Sequence, residues 1–324
     1  MRAVVANQPG PPAVLELVEM DDPVAGPGQV LVDVEVAAIT LIDTQMRAGT
    51  SPRSPGPFPI VLGNGVGGRV IAIGEGVEQA WLGADVVTST GGSGGYATRA
   101  VASVTDLHHL PTGIDLQIAV ALLADGRTAV GLADAASIVD GDTVVVTAAG
   151  GGVGSLLVQL AARAGARVIA LAGDNVKLDL ARSLGAEVAI NYRDPDWASQ
   201  LDVVAPDGLD VVFDGVGGDV SAVLVDRARK GGRYVTHGAS SGTFAAIDGE
   251  EASGRGITVV PLWAIGAGPQ ASFDLVEQAF ALAAAGTIHP TIGQWFPLAR
   301  AAEAHAAIER RTTLGKTLLI CRDA

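Results

Sequence analysis

One cysteine, Cys321, stands among the 324 residues of the chain. A single thiol excludes an internal disulfide framework and any metal lobe built on several cysteines, and it suits a reducing cytoplasm. Aromatic residues make up only 4%, so a core must be assembled mainly from Val, Ala, Leu and Ile. Positive charge is scarce as well: 21 Lys and Arg face 35 Asp and Glu, a formal net charge of -14 at pH 7. That balance offers no general basic field to phosphate backbones or anionic lipid, so nucleic acid and membrane surfaces are not expected partners. Also missing are a leader-type apolar run in the opening MRAVVANQPG and any uninterrupted apolar run of about 18 residues, the length that spans a bilayer. The chain reads as soluble and cytoplasmic.

What is present is a long, apolar and glycine-rich chain, 48% hydrophobic with 43 Gly, enough for two domains. The stretch 1–122 consists of short β-type runs at 3–5, 29–38, 61–73 and 85–88, divided by Gly26-Pro27-Gly28 and by the proline cluster at 52–59. Proline fixes φ and removes a donor, so these are turns, and the pattern predicts an irregular antiparallel β barrel. From 123 to 267 the rhythm changes. Apolar strands at 144–146, 167–172, 187–190, 210–213, 233–236 and 257–262 alternate with helical segments such as 155–164 and 176–184, which predicts a parallel sheet covered on both faces. The tail, 268–324, reads as a helix at 271–284, a strand region at 288–296, a helix at 298–310 and a last strand at 316–320.

The sharpest motif is the apolar strand Val144-Val145-Val146 running through Thr147-Ala148-Ala149-Gly150-Gly151-Gly152-Val153-Gly154 directly into a helix. A pyrophosphate needs N–H groups exposed at a helix N-terminus, a tight turn to aim them, and no Cβ in the way. Ala148, Gly151 and Gly154 stand at an A-x-x-G-x-x-G spacing, a variant of the dinucleotide fingerprint set between a strand and a helix. The next strand ends at Leu171-Ala172-Gly173-Asp174 with no acid at its tip. Lys177 and Tyr192 could therefore meet an adenosine 2′-phosphate, pointing to NADPH. Two alternatives stand beside that reading: Lys177 as a solvated helix lysine, and Asp174 as the partner of unphosphorylated ribose hydroxyls, which would favour NADH.

Along its whole length the chain resembles the medium-chain dehydrogenase/reductase superfamily, in the zinc-independent quinone oxidoreductase and enoyl reductase branch. The matching segments are Ile42-Asp43-Thr44 with Arg47-Ala48-Gly49, Leu62 to Gly68, Gly94-Gly95-Tyr96-Ala97 and Asp125-Gly126-Arg127-Thr128-Ala129. Further on come Ala148 to Gly154, Val212 to Gly218, Ala301-Ala302-Glu303-Ala304-His305 and Gly315-Lys316. The resemblance implies an α/β protein with a GroES-like β-barrel catalytic domain (1–122 and 268–324) and a Rossmann doubly wound parallel-sheet domain (123–267). It implies a nicotinamide in the cleft between them, and a homodimer. Carried over by position, it implies cofactor contacts from Thr128, Ala148, Gly151, Gly152, Val153, Gly154, Gly173, Lys177 and Tyr192. It extends these to Phe213, Asp214 and Val216, to Gly238, Ala239 and Ser240, to Trp263 and Ile265, and to Lys316.

Zinc alcohol dehydrogenases share that fold, and a catalytic zinc takes about three protein ligands. Here the usual first cysteine position falls in 38–40, Asn64-Gly65 replaces the usual His-Glu pair, and His108-His109 lack Cys or carboxylates at metal-ligand spacing, so no metal is expected. Thr40 stands where relatives carry Asn, and Gln45 and Ser51 where they carry Tyr. Thr40, Thr128 and Gln45 remain the polar candidates for catalysis, with Arg127 beside them; Gln45 and Arg127 read equally well as plain helix or loop hydrogen bonders. The expected reaction is hydride transfer from NADPH to a small electrophilic acceptor, a quinone. An α,β-unsaturated carbonyl of the enoyl or 2-alkenal kind is the alternative, and a non-catalytic NADPH-binding protein of zeta-crystallin type the second.

Overall fold

The computed structural model describes residues 1–51, 56–266 and 268–322. Part of the expected proline loop, 52–55, lies outside the described residues, as does 267 at the expected domain limit. The chain divides into two units, Met1–Ala124 with Thr291–Ala324, and Asp125–Pro290.

In the first unit, β1 (Arg2–Ala6) pairs antiparallel with β2 (Leu15–Glu19). The eleven-residue β3 (Gln29–Ile39) leads into α1 (Leu41–Ala48); then come β4 (Ile60–Val61), β5 (Gly65–Ile73), β6 (Asp85–Ser89), β7 (Arg99–Ser103) and β8 (Leu107–His109). Val30, Val32 and Val34 of β3 are buried in one core, the alternation that a half-buried strand requires, and past a register shift between Val34 and Val36 the strand presents Ala37 and Ile39 to that core. Glycine lets β5 lie close to β3: a Cβ on Gly68 would overlap the Asp33 carbonyl oxygen. The sequence pattern does not signal α1 as a helix. Its start is set by Asp43, whose carboxylate accepts from the Thr40 N–H at the N-cap (2.7 Å), and its end by Gly49 at φ 75°.

α2 (Leu116–Ala136) is likewise absent from the sequence pattern. It is apolar around most of its circumference, so no amphipathic stripe marks it; Ala119, Val120, Leu122, Ala129, Val130 and Leu132 are all buried. It is long and apolar enough, by length and composition, to cross a membrane, yet most of it is buried inside the protein, as a core helix would be.

The second unit continues with β9 (Thr143–Thr147), α3 (Gly152–Arg163), β10 (Arg167–Ala172), α4 (Asn175–Ser183), β11 (Val188–Asn191), α5 (Trp197–Val204) and β12 (Leu209–Asp214). It closes with α6 (Gly218–Arg227), β13 (Ala228–Thr236), α7 (Gly249–Gly254), β14 (Thr258–Pro261) and α8 (Pro269–Ala284). Its six strands are parallel, in the order β11-β10-β9-β12-β13-β14. Every residue of β12 is buried, which parallel strands covered on both faces demand. The order reverses between β9 and β12, and such switch points are where open α/β sheets bind ligands.

The return to the first unit comes at 291, not at 268. Residues 269–290 stay with the second unit because side chains there hold them. Gln159 donates to the His289 carbonyl (3.0 Å) and accepts from its N–H (2.8 Å), Arg163 donates to the Gly286 carbonyl (3.0 Å), and Arg127 to Ser272 Oγ (2.9 Å). The chain then forms β15 (Ile292–Pro297), α9 (Ala301–Glu309) and β16 (Lys316–Ile320); β15 pairs parallel with β16, and β16 antiparallel with β3, in the order β15-β16-β3-β5-β6-β8.

The β3–β5 approach leaves no room for a side chain, so Gly68→Ala should destabilise the first unit by about 1–3 kcal/mol, the usual range for overpacking. Denaturant unfolding measures it, and an unchanged midpoint would contradict the β3–β5 register.

Candidate functional site

The glycine turn after β9 is built from the backbone. Ala148 takes a left-handed φ of 50°, the Ala149 N–H bonds the Leu171 carbonyl of β10 (3.2 Å), and the Gly151 N–H bonds back to the Ala148 carbonyl (2.9 Å). α3 then starts at Gly152 with no side-chain cap and no acid in its first turn. The opening N–H groups of a helix have no intrahelical acceptor, and the dipole makes this end attractive to anions. A Cβ on Gly154 would overlap the Ala148 carbonyl oxygen, so this glycine lets the helix seat on the turn; one on Gly152 would overlap the Asp125 carboxylate. In the sequence that acid from α2 stands out only as part of a motif, with nothing to place it beside the anion-attracting helix end.

Over the same turn lies Lys177. A Cβ on Gly150 would fall 2.5 Å from both Cβ and Cγ of Lys177. The Lys177 ammonium meets Asp174 Oδ2 at 3.0 Å, and Asp174 Oδ1 accepts from the Lys177 N–H (3.0 Å), capping α4. Burial pushes the Asp174 carboxyl up, but the bonds from Lys177 and the charges of Lys177 and Arg193 outweigh it and hold the pKa below its ordinary value. Asp174, the expected competitor for ribose hydroxyls, thus serves as a cap and ion-pair partner. Gly173 lies between them and β11: a Cβ there would sit 3.0 Å from the Tyr192 hydroxyl and 3.0 Å from Arg193 Nε. Lys177, Tyr192 and Arg193 therefore gather around the end of β10. Sequence reasoning misses Arg193; its signal is its place beside Tyr192, just past the third strand.

At the ends of β12 and β13, Phe213 and Asp214 are fully buried and Val216 nearly so. The Asp214 carboxylate accepts from Thr147 Oγ1 (3.2 Å), the N–H groups of Val216 and Gly217 (3.0 Å each), the Tyr234 hydroxyl (3.1 Å) and Ser221 Oγ. It organises the turn from within. Gly238 donates to the Asp214 carbonyl (3.2 Å) and Ser240 to that of Gly215 (3.1 Å), while Ala239 accepts from Gly242 (2.9 Å). Just before them, His237 lies against Gly215, where a Cβ would come within 2.6 Å of the ring. His237 Nε2 is sealed from solvent without a hydrogen-bond partner among the described residues, and burial lowers its pKa to about 4 against the opposing pull of Asp214. Trp263 stands 79% exposed just past β14; Ile265 is half-buried.

Thr128 is half-buried on α2, and its neighbour Arg127 is the residue bonded to Ser272. In the first unit, Thr40 follows β3 as the N-cap of α1, and half-buried Gln45 lies on that helix. The Thr40 hydroxyl donates to Asp43 Oδ2 (2.7 Å). Lys316 is 3% exposed and its charge acts on Asp43. Among the described residues no group of three or more His, Cys, Asp or Glu could hold a metal ion, and burial raises the Cys321 thiol to about 12. A cavity of about 760 Å³ in the first unit, lined by Asp33, Arg99 and Arg322 among others, contains none of the expected site residues, and Arg99 and Arg322 there both pair with Asp33.

Comparison with known proteins gives two family matches, an alcohol dehydrogenase GroES-like domain over residues 26–112 and a zinc-binding dehydrogenase over residues 184–319. A probable quinone oxidoreductase of Schizosaccharomyces pombe is 33% identical over 323 residues, covering 99% of this chain and 97% of the relative. A 2-haloacrylate reductase of Burkholderia sp is 32% identical over 337 residues, covering 99% and 98%. The crystal structure of Escherichia coli quinone oxidoreductase complexed with NADPH superposes with a TM-score of 0.90 at 28% identity, covering 99% of this chain and 100% of the other.

His237 carries a pH signature. Its folded pKa of about 4 lies below the ordinary 6.5, so the unfolded chain takes up the proton first. Its contribution is complete above about pH 6.5 and is lost as pH falls towards 4, with an upper bound of roughly 3 kcal/mol. Denaturant unfolding at pH 7 and pH 5 should show a smaller difference for His237→Gln than for the wild type; equal differences would contradict a buried neutral imidazole.

Proposed function

The chain belongs to the medium-chain dehydrogenase/reductase superfamily, in its quinone oxidoreductase branch, and on that premise we propose that this enzyme reduces a quinone with NADPH and without zinc. The observation that carries the reading is the meeting of Tyr192 and Arg193 at Gly173, with Lys177 over the glycine turn and paired to the adjacent Asp174. Two cations and a hydroxyl form a donor set suited to a dianionic 2′-phosphate. The turn fits the rest of the cofactor: small residues where a Cβ would collide, and a helix N-terminus whose first N–H groups lack an intrahelical acceptor, the role a pyrophosphate takes.

When bound, NADPH would supply hydride. The N–H groups of Gly152 and Val153 would hold the pyrophosphate, with Ala148, Gly151 and Gly154 shaping the turn, and Lys177, Tyr192 and Arg193 the 2′-phosphate. Thr128 is assigned to the nicotinamide ribose. The backbone around Val216 and from Gly238 to Ser240 is assigned to the nicotinamide half, above the Phe213-Asp214 strand end, with Trp263, Ile265 and Lys316 as its outer contacts. Thr40 and Gln45 are assigned to the acceptor, whose developing oxyanion a positioned hydroxyl stabilises. Zinc-free reduction accords with the lack of a converging ligand set among the described residues. The exposed Trp263 beside the edge strand β14 supports a homodimer, and the lone cysteine a cytoplasmic setting.

A second acceptor class is favoured by one observation, the full-length similarity to a 2-haloacrylate reductase: an α,β-unsaturated carbonyl, reduced at its β-carbon. Loss of nicotinamide absorbance with benzoquinones, 2-alkenals and an enoyl thioester, using NADPH and NADH in turn, separates the two. Turnover of quinones with NADPH is expected, and binding without turnover on any acceptor would contradict the enzymatic reading. Lys177→Ala and Arg193→Ala should each raise the KM for NADPH about tenfold, the effect of one lost charge-assisted bond, with little change for NADH. Equal effects on both cofactors would overturn the 2′-phosphate assignment.

A further inference from the structure

The helix α2 is buried along most of its length, and an acid on such a helix is costly unless an opposite charge meets it. Asp125 stands half-buried near its middle, with Leu122 and Leu123 buried before it and Ala129 and Val130 buried after it. Its carboxylate reaches the first residue of α3. A Cβ built on Gly152 would fall 1.9 Å from Asp125 Oδ2, 2.9 Å from its Cγ and 3.6 Å from its Cβ, and these are the three atoms nearest that position. Gly152 belongs to the helix, where any residue can adopt the backbone, so the carboxylate above it is what keeps the position free of a side chain. The positive end of the α3 dipole balances Asp125 when no ligand is bound. Gly151, Gly152 and Val153 are themselves half-buried, so the helix end remains open to a second anion, which must then share it with a carboxylate.

We propose that Asp125 is a specificity-determining residue: it lets α3 accept the pyrophosphate diester of a dinucleotide and turns away the more highly charged terminal phosphates of nucleoside di- and triphosphates. The inference rests on the cofactor reading above and adds a rule for what the same site refuses. A phosphate held by the Gly152 and Val153 N–H groups lies within about 8 Å of Asp125, one Debye length at physiological salt, so ions do not screen the repulsion away. Each phosphorus of a pyrophosphate diester carries a single charge, whereas a terminal phosphate carries about 1.5 to 2 near pH 7. The repulsion grows in proportion to the charge it meets and therefore falls lightest on the diester.

The cations nearby do not make this distinction. Lys177 lies over Gly150 with its ammonium 3.0 Å from Asp174 Oδ2, and Arg193 lies at Gly173 beside Tyr192. Both attract anions in general, and attract the more highly charged ones more strongly. Left to them and to the helix dipole, the turn would favour ADP and ATP over a dinucleotide. Asp125 opposes that order at the start of α3, where the two ligand classes differ in charge.

Displacement of NADPH, followed by its fluorescence, measures the affinities of ADP-ribose and ADP for the wild type and for Asp125→Asn with no acceptor present. Both competitors lack the 2′-phosphate and share adenosine 5′-diphosphate; they differ in whether the second phosphate is esterified. Asp125→Asn should tighten ADP about tenfold and ADP-ribose by about threefold or less, and added salt should shrink both gains. Equal gains for the two ligands overturn the selectivity, and an unchanged or weaker affinity for ADP overturns the opposition of charges from which it is argued. NADPH that fails to bind the wild type overturns the cofactor reading and this inference with it, whereas NADPH binding with no shift in ADP overturns the inference alone. Asp125→Ser removes the same charge and decides the matter if Asp125→Asn fails to fold.

Discussion

A fully buried carboxylate, Asp214, fixes the centre of the second unit. Such a group is costly to bury unless donors surround it, and here five do, from Thr147, Val216, Gly217, Ser221 and Tyr234. Those donors belong to the end of β9, the turn after β12, α6 and β13. One side chain therefore sets where three neighbouring parallel strands stop and where the loop after β12 begins, at the point where the strand order reverses. Thr147, the last residue of β9 before the glycine turn, ties that strand end to the loop after β12, since its hydroxyl also accepts from the Gly215 N–H (2.8 Å).

The first unit shows the same economy with a different cast. Arg47, 1% exposed, pairs with Glu309, and Asp43, Tyr96 and His305 form a second buried polar group near it. These residues come from α1, the segment before β7, and α9, which lie far apart in sequence, so the tail of the chain is locked to its beginning by polar contacts as well as by the β16–β3 pairing. A network of this kind rigidifies when satisfied and is costly when it is not. That Arg47 and His305 retain buried atoms without partners among the described residues marks the region as organised around charge.

The sequence is most legible where one physical requirement acts locally. Val144-Val145-Val146 followed by clustered glycines could hardly be anything but a buried strand entering a helix, and the bounds of β10 and β16 are those read from their apolar runs. It is least legible where structure is imposed from afar. α2 hides because its surroundings bury it nearly all round, leaving no periodic stripe. β13 runs from Ala228 through Gly231 and Gly232, where the register against β12 shifts before pairing with β12 and β14 settles at Arg233, so the glycines mark an irregularity inside the strand and not its limit. The helix α8 reads as the start of the tail because nothing in its own residues announces Gln159 and Arg163, the side chains that bind the stretch after it to the second unit. In the candidate site, Lys177 and Tyr192 can be picked out by position, whereas Arg193 and Asp125 emerge only once β11 and α2 are folded beside the glycine turn.

The choice of NADPH turns on the anion cluster at the end of β10, and direct titration with two small adenosine ligands tests it without any acceptor. Adenosine 2′,5′-bisphosphate carries the distinguishing phosphate and adenosine 5′-monophosphate does not. With Tyr192 and Arg193 at Gly173 and Lys177 over the glycine turn, the bisphosphate should bind at least about tenfold more tightly, and the advantage should shrink as salt screens the contact. Equal affinity for the two, or a preference for the monophosphate, would contradict the assignment of that cluster to a 2′-phosphate and with it the choice of NADPH.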